Sequence, residues 1–153
     1  MKPKFSPQTI AFLKKASRQT KVDWLDKHRE EYERLVQAPL QNLAAQLKSS
    51  LAHEATGYHF PMRGLGRLKR PAHRVADGGM YKSWLSYSAS RPSGSRFDHN
   101  PNLYFMIDPW DNDDPVLVAG GLYMPSSRQL RAVREAIAHD ASAFERLFKT
   151  KEF

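Results

Sequence analysis

Residues 103–124 run Leu103-Tyr104-Phe105-Met106-Ile107, then Asp108-Pro109-Trp110-Asp111-Asn112-Asp113-Asp114-Pro115, then Val116-Leu117-Val118-Ala119-Gly120-Gly121-Leu122-Tyr123-Met124. Two runs of aromatic and aliphatic residues flank a segment of Asp, Asn and Pro. The runs are strand formers and the segment between them is turn chemistry, so the stretch predicts an antiparallel hairpin. The four aspartates of the turn suit Asx turns. A calcium loop would also need a distant bidentate glutamate, which is absent. Gly120-Gly121 inside the second run predicts a bulge or a close backbone approach.

Upstream of the hairpin, residues 81–88 alternate, with Tyr81, Leu85 and Tyr87 on one side and Trp84 on the other. That pattern predicts a further strand. Residues 58–62 are a weaker strand candidate, and residues 91–101, rich in Pro, Ser, Gly and Asn, read as a loop. The N-terminal part is helical in pattern. Ser6 can cap a first helix, Pro7 suits its first position, and Phe5 can staple onto Ile10. Ile10, Leu13 and Ala16 form its stripe, with Phe12 alongside. A second stretch carries Trp24, Leu25, His28, Tyr32, Leu35 and Val36 at helical spacing, continued by Leu40, Leu43, Ala44, Leu47 and Leu51. Pro39 interrupts it, which predicts a kink or a helix restart. Trp24 and Leu25 are expected to dock beside Phe12 and Leu13.

After the hairpin, Pro125 ends the strand and Ser126-Ser127-Arg128-Gln129 is a capping box. Leu130, Val133 and Ile137 line one face of the helix that follows. Asp140 can cap a short last helix with Phe144, Leu147 and Phe148. Helices, then strands, then helices predict an α+β fold with helices on one face of a mainly antiparallel sheet.

The chain has 153 residues, which suits one α+β domain over 1–153. It has no cysteine, which excludes disulfides, thiolate metal sites and cysteine nucleophiles. No apolar run approaches the roughly 18 residues of a membrane span, and no signal peptide is evident. The expectation is a cytoplasmic protein without a membrane partner. The net charge is +8. All of the excess lies in the first half, where residues 1–75 hold 15 basic and 6 acidic residues. Between residues 55 and 96, eight basic residues stand against Asp77 alone. Such a field attracts phosphates, nucleic acid or acidic protein surfaces.

Within it, Arg63, Arg67, Arg70, Arg74, Tyr81 and Lys82 are the candidate anion-binding residues. Arginine forks suit phosphate and carboxylate, and Gly64-Leu65-Gly66 could let backbone approach an anion. The spacing is not a P-loop, because no Gly-Lys-Ser/Thr follows. The bland account is a solvated basic loop with an Arg74–Asp77 ion pair. His53-Glu54 resembles half of a zinc-protease motif, but the next histidine is His59, six residues on instead of four, so no metal is expected. His28 reads as a packed residue. Trp24, Tyr104, Phe105 and Tyr123 read as core before they read as a base-stacking platform. No cofactor motif is present. Three functions remain in view. The first is a module binding an anionic partner, nucleic acid among the candidates. The second is an enzyme on a small anionic substrate using Arg74, Asp77, Tyr81 and Lys82, with Tyr81 as acid or base. The third is a protein–protein interaction domain.

Taken together, Phe5-Ser6-Pro7-x-Thr9, Phe12-Leu13, Trp24-Leu25, Tyr32, Val36 and Ala38-Pro39-Leu40, followed by Leu103-Tyr104-Phe105, Ile107, Gly120-Gly121-Leu122-Tyr123-x-Pro125, Leu130, Arg134 and Ile137, resemble the family known as domain of unknown function 2461. The resemblance covers most of the chain and implies an α+β fold; it implies no reaction. Members usually carry an Arg-Phe-Ser-like segment, then Asp-Lys and Pro-Tyr-Lys. The resemblance sets Arg74, Asp77, Tyr81 and Lys82 against that segment, without its Phe-Ser pair, one lysine and the proline. Members also usually continue beyond the point where this chain reaches Lys151-Glu152-Phe153. The apolar residues Phe144, Leu147 and Phe148 are therefore expected to pack only partly and to promote self-association or partner binding.

Overall fold

The computed structural model describes residues 3–75, 79–94 and 96–149. It has N-terminal helices, a three-stranded antiparallel sheet and C-terminal helices, which is the expected α+β order. Helix α1 is Pro7–Ser17. The Ser6 N–H donates to Thr9 Oγ1 at 3.2 Å, and the Thr9 N–H donates to the Ser6 carbonyl at 2.8 Å. Phe5 stacks on Phe105 of the sheet, with ring centroids 5.8 Å apart. The entry of the first helix is thereby tied to the strands.

The second helical stretch is divided. Helix α2 is Trp24–Lys27 and α3 is Arg29–Tyr32, separated at His28, where φ is −116°. A π-helical turn, Glu33–Gln37, then leads into α4, Ala38–Ser50. The expected restart at Pro39 therefore takes the form of a widened turn just before the proline. Residue 39 has no N–H to give to the carbonyl of Leu35 four residues earlier. That carbonyl is bonded by a side chain instead: Thr9 Oγ1, buried, donates to Leu35 O at 2.9 Å.

Trp24 docks as expected. It is 7% exposed and sits 5.6 Å from the Phe12 ring and 4.3 Å from His28, which stacks on it. The core joins Phe12, Leu13, Trp24, Tyr32, Val36 and Leu40 of the helices to Leu85, Tyr87, Ala89 and Ile107 of the sheet.

The strands are β1 Leu85–Ser90, β2 Asn102–Ile107 and β3 Val116–Gly121, in spatial order β1-β2-β3. Pairing is in register throughout, Leu85 with Ile107 and Leu103 with Gly120. Of the bulge or close backbone approach expected at Gly120-Gly121, the bulge is not formed. The ladder runs regularly to Gly121, and a Cβ at position 120 would meet Leu103 Cδ2 at 3.5 Å, an ordinary contact. Residues 58–62 do not form a strand. They contribute a single bridge, His59 to Ser90, because the chain turns away from β1 beyond it. The hairpin turn behaves as Asx chemistry predicts. Asp108 accepts from the Trp110 N–H at 3.0 Å, and Asp111 accepts from the Asp113 and Asp114 N–H groups at 3.1 Å.

Helix α5, Ser127–His139, is capped as expected by Ser126 and Gln129, and α6 is Ala141–Lys149. Asp98 accepts from Ser126 Oγ at 3.0 Å and pairs with Arg128, which anchors the start of α5 to the loop before β2. The body of α5 is not buried, and Leu130 and Val133 are exposed. Phe144 is 39% exposed, whereas the side chains of Leu147 and Phe148 and residues 150–153 lie outside those described. Tyr123, expected in the core, is exposed, because it follows the end of β3. No helix among the described residues is long and apolar enough to cross a membrane.

Replacing Thr9 with Val removes the donor to Leu35 O while keeping the shape. A buried carbonyl without its donor costs about 1–3 kcal/mol. Chemical denaturation of Thr9→Val is expected to show a loss in that range, and an unchanged midpoint would mean that the π-helical turn satisfies Leu35 by itself.

Candidate functional site

Residues 63–70 read Arg63-Gly64-Leu65-Gly66-Arg67-Leu68-Lys69-Arg70. Leu65 and Leu68 are buried and hold the segment to the core, while Arg67 between them and Arg63 before them are exposed. Gly64 and Gly66 have φ of +68° and +72°, a backbone that favours glycine. The Gly66 carbonyl accepts from Tyr32 Oη at 2.9 Å, which fastens the loop to the end of α3. Beyond it the chain doubles back. The Lys82 N–H donates to Leu68 O at 2.8 Å and the Arg70 N–H to Met80 O at 3.0 Å. That short antiparallel bridge sets Lys82 beside the arginine segment.

A cleft of about 190 Å³ lies between this loop and β1. Its lining includes Arg63, Arg67, Lys82, Trp84, Ser86 and Tyr87. Among the described residues no ion pair involves Arg63, Arg67, Arg70, Arg74 or Lys82. Burial pushes the Lys82 ammonium below the ordinary lysine range, and the positive charges of Arg70, Arg67 and Arg74 push it further. The Arg70 guanidinium lies 5.1 Å from the centre of the Trp84 ring, and its buried Nε has no hydrogen-bond partner. The Tyr87 hydroxyl is likewise buried and unpartnered, in a side chain only 3% exposed. Desolvation raises its pKa, so it remains an O–H donor at neutral pH.

The residues expected from sequence divide three ways. Arg63, Arg67 and Lys82 meet in the cleft, and Arg70 and Arg74 lie close enough to act on the Lys82 charge. Tyr81 goes elsewhere. It is 1% exposed, and its hydroxyl sits 3.0 Å from the carbonyls of Lys21 and Val22 while accepting the Leu25 N–H at 3.3 Å. It fastens the start of α2 to the core, with Trp24 edge-on at 5.8 Å. Asp77, and with it the Arg74–Asp77 pair, lies outside the described residues. Of the described members of the proposed enzyme group, Arg74, Tyr81 and Lys82, only Lys82 lines the cleft. Trp84, Ser86, Tyr87 and Ser88 line it as well and were missed. Their signal was the outward alternation of Ser86 and Ser88 on a strand next to a basic loop. A larger trough of about 610 Å³ crosses the outer side of β2 and β3, but its lining, Tyr104, Met106, Leu117 and Tyr123 among it, brings no charge together.

Because charged Lys82 is disfavoured in the fold, the unfolded chain holds this proton more tightly, and the penalty is complete below the depressed pKa. Stability attributable to this group therefore rises as pH climbs from that value towards the ordinary 10.5. Lys82→Met is expected to melt higher than the parent at neutral pH, with the gain shrinking towards pH 10.5. A lower melting temperature at neutral pH would show that Lys82 stabilises its surroundings instead.

The family model described as "Conserved hypothetical protein (DUF2461)" matches residues 8–153, and the chain belongs to that family. No curated protein and no solved structure matches the chain.

Proposed function

We propose that this family member is a binding module that recognises an anionic partner through the face carrying Arg63, Arg67, Arg70, Arg74 and Lys82. The observation that carries the reading is the gathering of Arg63, Arg67 and Lys82 in one cleft, where burial and then the charges of Arg70, Arg67 and Arg74 lower the Lys82 pKa, with no acid paired to them among the described residues. Like charges gathered around a partly desolvated lysine are unfavourable in isolation. An anion relieves that repulsion on binding, so the arrangement suits a ligand better than it suits stability. Arg70 on the Trp84 ring adds a flat surface of the kind that accepts a base or sugar beside a phosphate. Single-stranded nucleic acid is the first partner to try. Affinity for a short oligonucleotide is expected to fall about tenfold or more between 50 and 200 mM salt, since each neutralised phosphate releases counterions. No binding at the lower salt would remove nucleic acid, and binding indifferent to salt would remove the electrostatic reading.

A second reading, association with another copy of this chain, rests on β3. It is the other edge of the sheet, all six of its residues are exposed, and none is charged or proline. Edge strands ordinarily carry such guards against pairing. A bare antiparallel edge is self-complementary about a two-fold axis, which favours a second copy as its occupant. Val118, 76% exposed, lies in the middle of this edge. The half-exposed Phe144 of α6 offers a separate apolar contact. Light scattering is expected to give a dimer for the parent and a monomer for Val118→Lys. Dissociation by Phe144→Ser alone would move the contact to α6, and a strictly monomeric parent would end the reading.

A further inference from the structure

The basic face is wide, but the cleft within it is small. Clefts that enclose a whole organic ligand are about 300–1,000 Å³. At about 190 Å³ this one is sized for a single group. Its chemistry is that of a donor site. Arg63 and Arg67 bring guanidinium N–H groups, Lys82 brings an ammonium, and Ser86 and Ser88 bring hydroxyls.

The strand edge adds backbone donors. The Ser90 N–H donates to His59 O at 3.2 Å and the His59 N–H to Ser90 O at 2.8 Å, so the Ser90 backbone faces away from β2. Strand alternation then turns the Ser88 and Ser86 backbones to the same free edge. There they border the cleft, and no loop residue among those described bonds their N–H groups. Donors thus reach the space from the glycine loop, from Lys82 and from the strand. A tetrahedral oxyanion accepts hydrogen bonds in several directions, whereas a planar carboxylate accepts them in one plane.

We infer that the cleft between residues 61–67 and β1 is a site for one phosphate group, held by Arg63, Arg67 and Lys82 with the Ser86 and Ser88 N–H groups. It rests on the anion-binding reading and narrows it: the wider arginines gather the partner and the cleft takes a phosphate. The group can come from inorganic phosphate or from a phosphomonoester.

Amide NMR titration of the full chain with inorganic phosphate, glycerol phosphate and acetate tests it, at constant ionic strength. Phosphate is expected to shift the Ser86 and Ser88 amides with saturation, and acetate to bind at least about tenfold more weakly. Tighter binding of glycerol phosphate than of phosphate would assign the site to monoesters, and the reverse order to the free ion. Lys82→Met is expected to lower phosphate affinity about tenfold or more, the scale of a lost charge-assisted bond. Lys149→Gln, which removes an equal charge from α6, is expected to leave it unchanged. Equal affinity for acetate, equal losses in both variants, or no saturable shift would each overturn the inference. A parallel oligonucleotide titration separates the two readings. Salt-sensitive oligonucleotide binding that phosphate does not compete for would leave the anion-binding face standing and remove the phosphate cleft.

Discussion

A proline at position 39 withholds the one N–H that the Leu35 carbonyl would take in an uninterrupted α-helix, and much of the structure is arranged around that gap. The π-helical turn of Glu33–Gln37 widens the helix just ahead of the proline, and the Thr9 hydroxyl supplies a donor to Leu35 from α1. Thr9 also takes the Ser6 N–H, so one side chain both closes the first turn of α1 and satisfies the interrupted helix. The crossing of these two helices is fixed by a bond that neither could make alone. Burial makes it matter, because an unpaired carbonyl in this position has no water to turn to.

From that crossing the positions of the other parts follow. Phe12 of α1, Trp24 of α2 and Tyr32 of α3 form one aromatic group, with ring centroids 5.6 and 6.5 Å from Phe12. Two phenols lead outward from it. Tyr81 holds the start of α2, and Tyr32 holds the glycine loop at Gly66. The arginine loop is therefore placed by the core, not by its own charges. A set of cations that would repel one another in a free loop is kept together by leucines and a phenol beneath it.

The sheet and the C-terminal helices are built differently. The inner side of β1 is part of the core, while β3 at the opposite edge is exposed along its length. Helices α5 and α6 are joined to the rest through Asp98, His99 and the capping residues Ser126 and Gln129, in polar contacts at one end of α5. None of the residues of α5 is buried, so this helix owes more to capping than to burial. The Asp140 carboxylate, held below the usual aspartate range by the Ala143 N–H and the Ser142 hydroxyl, shows the same economy at the start of α6.

Features written in neighbouring residues were legible from the sequence: the capped starts of α1 and α5, the antiparallel hairpin with its Asx turn, the interruption at Pro39 and the core stripe through Trp24. Each is marked by residues close together in the chain, so composition and spacing are enough to announce it. The α+β order followed from the same signals. The cleft was only half legible. Its cations stand out as charge, but sequence proximity groups Tyr81 with them, and nothing local ties Trp84, Ser86 and Tyr87 to them. Which side of a segment faces the core and which the cleft is settled by partners far along the chain: Lys21 for Tyr81, 60 residues away, and Tyr32 for Gly66, 34 residues away. At Gly120-Gly121 a glycine pair permits a bulge or a close approach, and only the pairing with β2, regular to Gly121, decides that no bulge forms. Short-range chemistry determined the elements. The burial of distant phenols and leucines decided how the elements meet, because only the assembled core fixes which polar edges remain without a partner.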